Sequence, residues 1–376
     1  MKTNASFLRH LAAVATLLLP AATLPSFAQT TATTDPVGFI TLTIKGTGGT
    51  QASAISFLGL GITPPVEYQG IADSVNGTTI TSNNTAWTDN QFASTPAPGY
   101  FLEVTSGSNA GLMSLVASCN AAAKTLTVAD DLTALGVANG ATFKLRKNWS
   151  LGSLFGSTNS AGLGGGSSST ADLVLLWNPT LNSGTGGYDQ FFYSTGGFAG
   201  VGWRKVGGGS TDQQYAAILL DDGLVVKRLQ SADVSVAVSG AVKLGPTEST
   251  ILVGPNFIGN VYAGGVMTLG NTDATAVPPK YSSGLYTGIS TTGLVAGTSG
   301  TADLVLIWNQ TLNSGAGGYD QYFYSSGGFA GIGWRNVGGG STDQKDTIIA
   351  TGTSVLIKRN SGGSFTWVAP QPFPNP

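Results

Sequence analysis

Residues Thr170 to Gln213 read TADLVLLWNPTLNSGTGGYDQFFYSTGGFAGVGWRKVGGGSTDQ, and residues Thr301 to Gln344 read TADLVLIWNQTLNSGAGGYDQYFYSSGGFAGIGWRNVGGGSTDQ. Trp177 matches Trp308, an offset of 308 − 177 = 131, and Trp203 matches Trp334 at the same offset. Lys227-Arg228 and Lys358-Arg359 keep it, as do Leu154 and Leu285. The repeated unit therefore runs from about 154 to 230 and from about 285 to 361. Solenoids and propellers use periods of roughly 20–50 residues and at least three copies. Two copies 131 residues apart are a domain duplication, and each copy is expected to close its own core.

Within one copy the pattern is that of a β meander. Asp172 to Trp177, Tyr188 to Tyr193, Val201 to Val206 and Gly223 to Arg228 are short runs rich in aromatic and β-branched residues. Clusters of Gly, Asn and Ser separate them, as at Asn182 to Gly187 and Gly207 to Asp212. Ala217 to Leu220 adds a shorter run, and Asp221-Asp222-Gly223 reads as a hairpin turn. Between the copies, Asp233 to Val238 alternates polar and apolar residues.

Ahead of the first copy, Val37 to Ile44 alternates cleanly. Tyr100 to Val104, Leu112 to Ser118, Lys124 to Val128 and Thr142 to Arg146 read as further strands, and Asp131 to Leu135 as one helical turn. The expected fold is all-β: tandem β-sandwich-like domains with an internal duplication. Its expected divisions are a leader at 1–28, an N-terminal β domain at 29–150, a first repeat unit with additional strands at 151–279 and a second unit at 280–376.

The leader is read from charge and hydropathy. Lys2, Arg9 and His10 precede the apolar run Leu11 to Leu19, and Ser26-Phe27-Ala28 places small residues at a cleavage site. The expectation is a secreted protein, at the cell surface, in the extracellular space or in the periplasm. No later run is apolar enough to span a membrane as a helix. Without the leader, 17 − 2 = 15 basic residues face 19 acidic ones. No Lys/Arg-rich run exists, so nucleic acid is not an expected partner. Charged residues make up 10% of the chain and Gly 55 of 376, yet 7 Trp, 11 Tyr and 16 Phe are enough to build a core.

The chemistry is sparse. His10 is the only histidine, so the chain beyond the leader lacks Ser-His-Asp triads and imidazole metal sites. Cys119 is the only cysteine and reads as a small buried hydrophobe. The expectation is a protein without catalytic residues, cofactor or resident metal. Turn aspartates of a secreted β protein can hold calcium, although no Asp-x-Asp-x-Asp loop occurs. The repeated carboxylates are Asp172/Asp303, Asp189/Asp320 and Asp212/Asp343, the first and last in turn or strand-end positions. The repeated aromatics are the most suggestive set. Tyr188, Asp189, Trp203 and Arg204 recur as Tyr319, Asp320, Trp334 and Arg335. An exposed Tyr/Trp row beside Asp and Arg is what stacking on sugar rings requires, and the alternative is that the same rings fill the core.

The motif TADLVLLWN…GYDQFFY…GWRKVGGGSTDQ…VVKR resembles a family of secreted bacterial proteins without assigned activity, present as many paralogues per genome. Asp35 to Ile44 and Trp149 to Phe155 are similar to that family as well, while carrying the unit twice is a departure from it. The resemblance implies export and paralogy and brings no catalytic residue. Three readings stand: a structural or adhesive surface protein that self-associates, a carbohydrate-binding module with two equivalent aromatic sites for polysaccharide, and a carboxylate-dependent glycoside hydrolase.

Overall fold

In the computed structural model, which describes residues 35–370, nearly every regular element is a strand. Leu173–Asn178, Gly187–Thr195 and Val201–Lys205 form the antiparallel meander the sequence predicts, and Leu224–Arg228 pairs back onto Leu173–Asn178. The second copy repeats this with Leu304–Asn309, Gly318–Ser326, Ile332–Asn336 and Ser354–Arg359. The turn chemistry is the same in both. Gly186 and Gly317 have φ of +85°, and a Cβ there would meet the indoles of Trp177 and Trp308 at 2.1 Å. Only glycine lets the ring lie on the backbone at that point.

Each sheet gains a fifth strand from outside the recognised repeat. Ala54–Leu58 closes the first sheet by pairing with Leu224–Arg228, and Gly254–Gly259 closes the second by pairing with Ser354–Arg359. Phe57 lies opposite Val225, and Phe257 lies opposite Leu356, 131 residues on. Phe57 and Phe257 are therefore equivalent, at an offset of 257 − 57 = 200. A two-stranded ribbon flanks each sheet, Val37–Ile44 with Val234–Ala241 and Thr247–Ile251 with Phe365–Ala369.

Strand pairing thus crosses the positions 150 and 279. The first unit takes Val37–Ile44 and Ala54–Leu58 from within 29–150, and Thr247–Ile251 and Gly254–Gly259, within 151–279, pair with strands of the second. The seven-stranded sheet at 66–147 lies between two pieces of the first unit. It has its own core, built on Phe92, Leu102, Leu126 and Phe143, with Cys119 buried in it. The leader expected at 1–28 lies outside the described residues.

The two copies do not close separate cores. Leu42, Trp203 and Val226 of the first unit share one buried cluster with Trp334, Ile357 and Trp367 of the second. The opposite sheet faces also meet. Phe57 stacks on Phe257 at 5.7 Å with 8° between ring planes, and each ring packs on the other copy: Phe57 on Trp308 at 5.1 Å, Phe257 on Trp177 at 5.4 Å. Here one face is covered by the shared core and part of the other by the partner sheet.

One helix of five residues, Leu151–Phe155, is fixed by a capping box, in which Ser150 Oγ accepts from Ser153 N and Ser153 Oγ accepts from Ser150 N. The expected turn at Asp131 to Leu135 forms, with Leu135 N donating to Asp131 O at 3.0 Å. Buried ion pairs tie the elements together. Asp172 meets Arg228 at 2.6 Å and Asp303 meets Arg359 at 3.0 Å, the same pair in each copy. Asp35, Lys144, Arg146, Glu103 and Lys243 form a third cluster, which joins the seven-stranded sheet to the first unit.

Candidate functional site

Strand alternation assigns the expected site residues to two faces, and neither is an open platform. Val174, Phe191, Tyr193 and Trp203 share one face of the first sheet. Trp203 is fully buried, and its indole N–H donates to Gly156 O at 2.9 Å. Trp334 is 3% exposed. The expectation of exposed Trp203 and Trp334 stacking sites is corrected: the core needs large rings at these positions, and a buried indole finds its acceptor in the backbone.

Tyr188 and Tyr319 lie on the opposite face, in the seam between copies. Tyr188 packs edge-on to Trp177 at 5.3 Å and to Phe257 at 5.4 Å. Tyr319 does the same with Trp308 at 5.2 Å and Phe57 at 5.5 Å. Burial pushes the Tyr319 phenol up to about 12, and it raises Tyr188 with help from nearby Tyr319. Two separate aromatic platforms are therefore not present. The tyrosines come together at one seam with Trp177 and Trp308, away from Trp203 and Trp334 on the far side of each sheet.

The carboxylates and arginines are tied up locally. Asp189 binds Lys205 at 2.6 Å and accepts from Asn178 Nδ2 at 3.1 Å. Asp320 accepts from Asn309 Nδ2 at 2.9 Å, and Asn336 stands where the first copy has Lys205. Arg204 turns its guanidinium into the adjoining loop. Its Nε donates to Ala199 O at 2.6 Å, and its two terminal nitrogens to Val201 O and Trp203 O at 2.8 Å each. Arg335 repeats these three bonds with Ala330, Ile332 and Trp334. Asp212 and Asp343 lie 3.6 and 3.5 Å from these arginines.

What the arginine holds is a Gly-Gly-Phe-Ala-Gly tip. Gly197–Ala199 and Gly328–Ala330 each make one tight turn at the end of the outer hairpin. Phe198 is 98% exposed and Phe329 is 100% exposed. Val201 and Ile332 beside them are exposed as well. A scattered surface Val needs no explanation, but two equivalent phenylalanines held wholly in solvent by a fixed loop do. A lone aromatic between glycines, present twice, was the sequence signal for these tips.

A second feature occurs once. Asp221-Asp222-Gly223 is not a free hairpin turn. Gly259 N donates to Asp221 O at 2.9 Å, Gly223 N donates to Phe257 O at 3.1 Å, and Asp222 bridges to Ile258. The second copy's edge strand thus captures the segment, and both aspartates line a cleft of about 390 Å³ beside the seven-stranded sheet. Glu248 and Asp130 also line this cleft. Burial raises Asp221, against the opposing influence of Ser249 and Lys243. Burial first, and Asp221 second, push Asp222 up to about 8, and burial raises Glu248.

Comparison with known proteins finds no matching family model, no matching curated protein and no matching solved structure.

Proposed function

We propose that this chain is an exported, non-catalytic adhesive protein of the cell surface or extracellular matrix, which holds amphipathic surfaces and neighbouring copies through its two phenylalanine tips. The observation that carries this reading is the complete exposure of Phe198 and Phe329 at equivalent positions. The same arginine lock supports each tip, so little loop entropy is lost when the ring is buried on contact. Burying one phenylalanine side chain contributes roughly 1.5–3 kcal/mol, which is weak alone. Two tethered contacts gain effective concentration and hold where one would release, with avidity gains of roughly 10²–10⁴. The remaining repeated residues, among them Trp203, Arg204 and Asp172, have structural partners, so the tips are the part of the repeat left free to act.

The test is adsorption to alkyl-coated and hydroxyl-coated surfaces, read by mass uptake, together with light scattering of the free protein. Native protein is expected to prefer the alkyl surface and to assemble as concentration rises. Phe198→Ser with Phe329→Ser is expected to abolish both. A double variant that adsorbs and assembles like the native protein defeats the reading.

A further inference from the structure

Residues 170–213 differ from 301–344 at seven positions, and four of these, Leu176, Pro179, Phe191 and Lys205, line one cleft. Only eight of those 44 residues line it, so the divergence between copies is concentrated at this wall. The cleft lies between the first sheet and the second copy's edge strand Gly254–Gly259. At about 590 Å³ it falls within the roughly 300–1,000 Å³ of small-molecule sites. In the second copy the corresponding polar groups satisfy one another. Trp308 donates its indole N–H to Gln310 Oε1 at 3.1 Å, and Thr347 Oγ1 donates to Gln344 Oε1 at 3.3 Å. The Tyr322 phenol sits beside Thr347 and Asn336. The first copy keeps Trp177 and Gln213 without these partners. Pro179 stands for Gln310, Ala216 for Thr347, and Phe191 lacks the phenol oxygen of Tyr322. Trp177 and Gln213 are half-buried on the cleft wall, and neither polar group is sealed from solvent. Three hydrogen-bonding places that the second copy fills from its own chain are thus open in the first.

We propose that this cleft binds a neutral saccharide, whose hydroxyls take the places that Gln310, Thr347 and Tyr322 fill in the second copy. A hydroxyl both donates and accepts, so it serves an indole N–H and an amide alike. Leu176, Leu219 and Ile258 supply apolar wall for the C–H face of a sugar ring. The lining is balanced in charge. Asp189 is paired with Lys205 at 2.6 Å. Burial raises Asp221, and burial together with Asp221 pushes Asp222 up to about 8, which favours protonation of both. An ion of either sign therefore meets no unmatched opposite charge. An apolar ring with a single hydroxyl fills one of the three open places and leaves two unmade. The cleft does not include Phe198 or Phe329, so the site stands or falls separately from adhesion.

The experiment is saturation-transfer NMR of the full chain with the methyl glycosides of glucose, galactose, mannose and N-acetylglucosamine, each titrated to a dissociation constant. At least one glycoside is expected to receive saturation, and cyclohexanol is expected not to displace it. Pro179→Gln with Ala216→Thr gives the first copy the partners of the second and is expected to abolish binding, with an unfolding midpoint no lower than native. Gln213→Ala is expected to weaken binding about tenfold. Phe198→Ser with Phe329→Ser is expected to leave it unchanged. The proposal is overturned if none of the four glycosides receives saturation, if Pro179→Gln with Ala216→Thr binds as the native chain does, or if cyclohexanol competes as well as the glycoside and so marks a merely apolar cleft.

Discussion

The two copies of the repeat share a frame and differ at one wall. Each carries the same buried tryptophan, the same Asp–Arg pair and the same arginine-locked tip. Where the first copy has Asp221 and Asp222, the second has Gly352 and Thr353. Where the first has Lys205 on Asp189, the second has Asn336. The first copy is also the one interrupted by the seven-stranded sheet, and its acidic pair faces that sheet. Residues present in both copies therefore build and present, while residues present in one make the cleft. The exception inside the shared set is Phe198/Phe329, which touches nothing and so is free for a partner.

The largest effects should come from the shared frame. Asp303→Ala leaves Arg359 as an uncompensated buried charge and is expected to cost about 3–5 kcal/mol, and Asp172→Ala the same. Because one core serves both copies, both variants should shift the same transition in urea unfolding. If each variant moves a different transition, the copies fold independently and the shared-core account fails. Phe57→Ala and Phe257→Ala should each cost about 3–5 kcal/mol. Their double variant should cost less than the sum, since the two rings stack on each other. Strict additivity would mean the seam carries no reciprocal contact.

The unshared wall makes a pH signature. Glu103 is held below its ordinary value: burial alone would raise it, but Lys243 and Arg146 prevail. Its contribution is present at neutral pH and is lost as acid protonates it. Asp222 has the opposite sign. Its folded value near 8 exceeds the ordinary 3.8, so its contribution is full below about 4 and is lost progressively as pH rises from there to about 8. Thermal midpoints should therefore peak at mildly acidic pH and fall on both sides. Asp222→Asn should lessen the fall on the alkaline side, to which Asp221 and Glu248 also contribute, and an unchanged alkaline slope would remove Asp222 from the account.

The smallest effect concerns the exposed pair. Lys205→Ala should cost roughly 0.2–1 kcal/mol, and Asn336→Lys should gain as little, because pairs open to solvent are screened. A larger change on either side, read by denaturant midpoint, would mean that the two sheets differ beyond this residue.

The meander of each copy was legible because aromatic and β-branched runs alternate with glycine clusters, and the register follows from them. The fifth strands were not. Gly254–Gly259 contains Gly, Pro and Asn, residues of low strand propensity, and pairing with Ser354–Arg359 is what makes it a strand. The equivalence of Phe57 and Phe257 was hidden because the seven-stranded sheet changes the offset from 131 to 200. Alternation within one strand does not say which face a neighbouring strand's rings share, and the expected Tyr/Trp row is divided, with Tyr188 and Trp203 on opposite faces. It gave no sign that the shared core and the partner sheet would cover them, because that depends on contacts between copies. The acidic cleft was unreadable for the same reason, since its walls come from the first copy, the second copy's edge and the seven-stranded sheet.

The central claim is that the tips make contact while the rest of the repeat is frame. Its most direct test is the dissociation rate from an alkyl surface for native protein, Phe198→Ser, Phe329→Ser and the double variant, with unfolding midpoints measured on the same samples. The account predicts unfolding free energies within about 0.5 kcal/mol of native for all three variants, since these side chains pack against nothing. It predicts release at least tenfold faster for each single variant and no retention for the double. A double variant of native stability that releases at the native rate would contradict it.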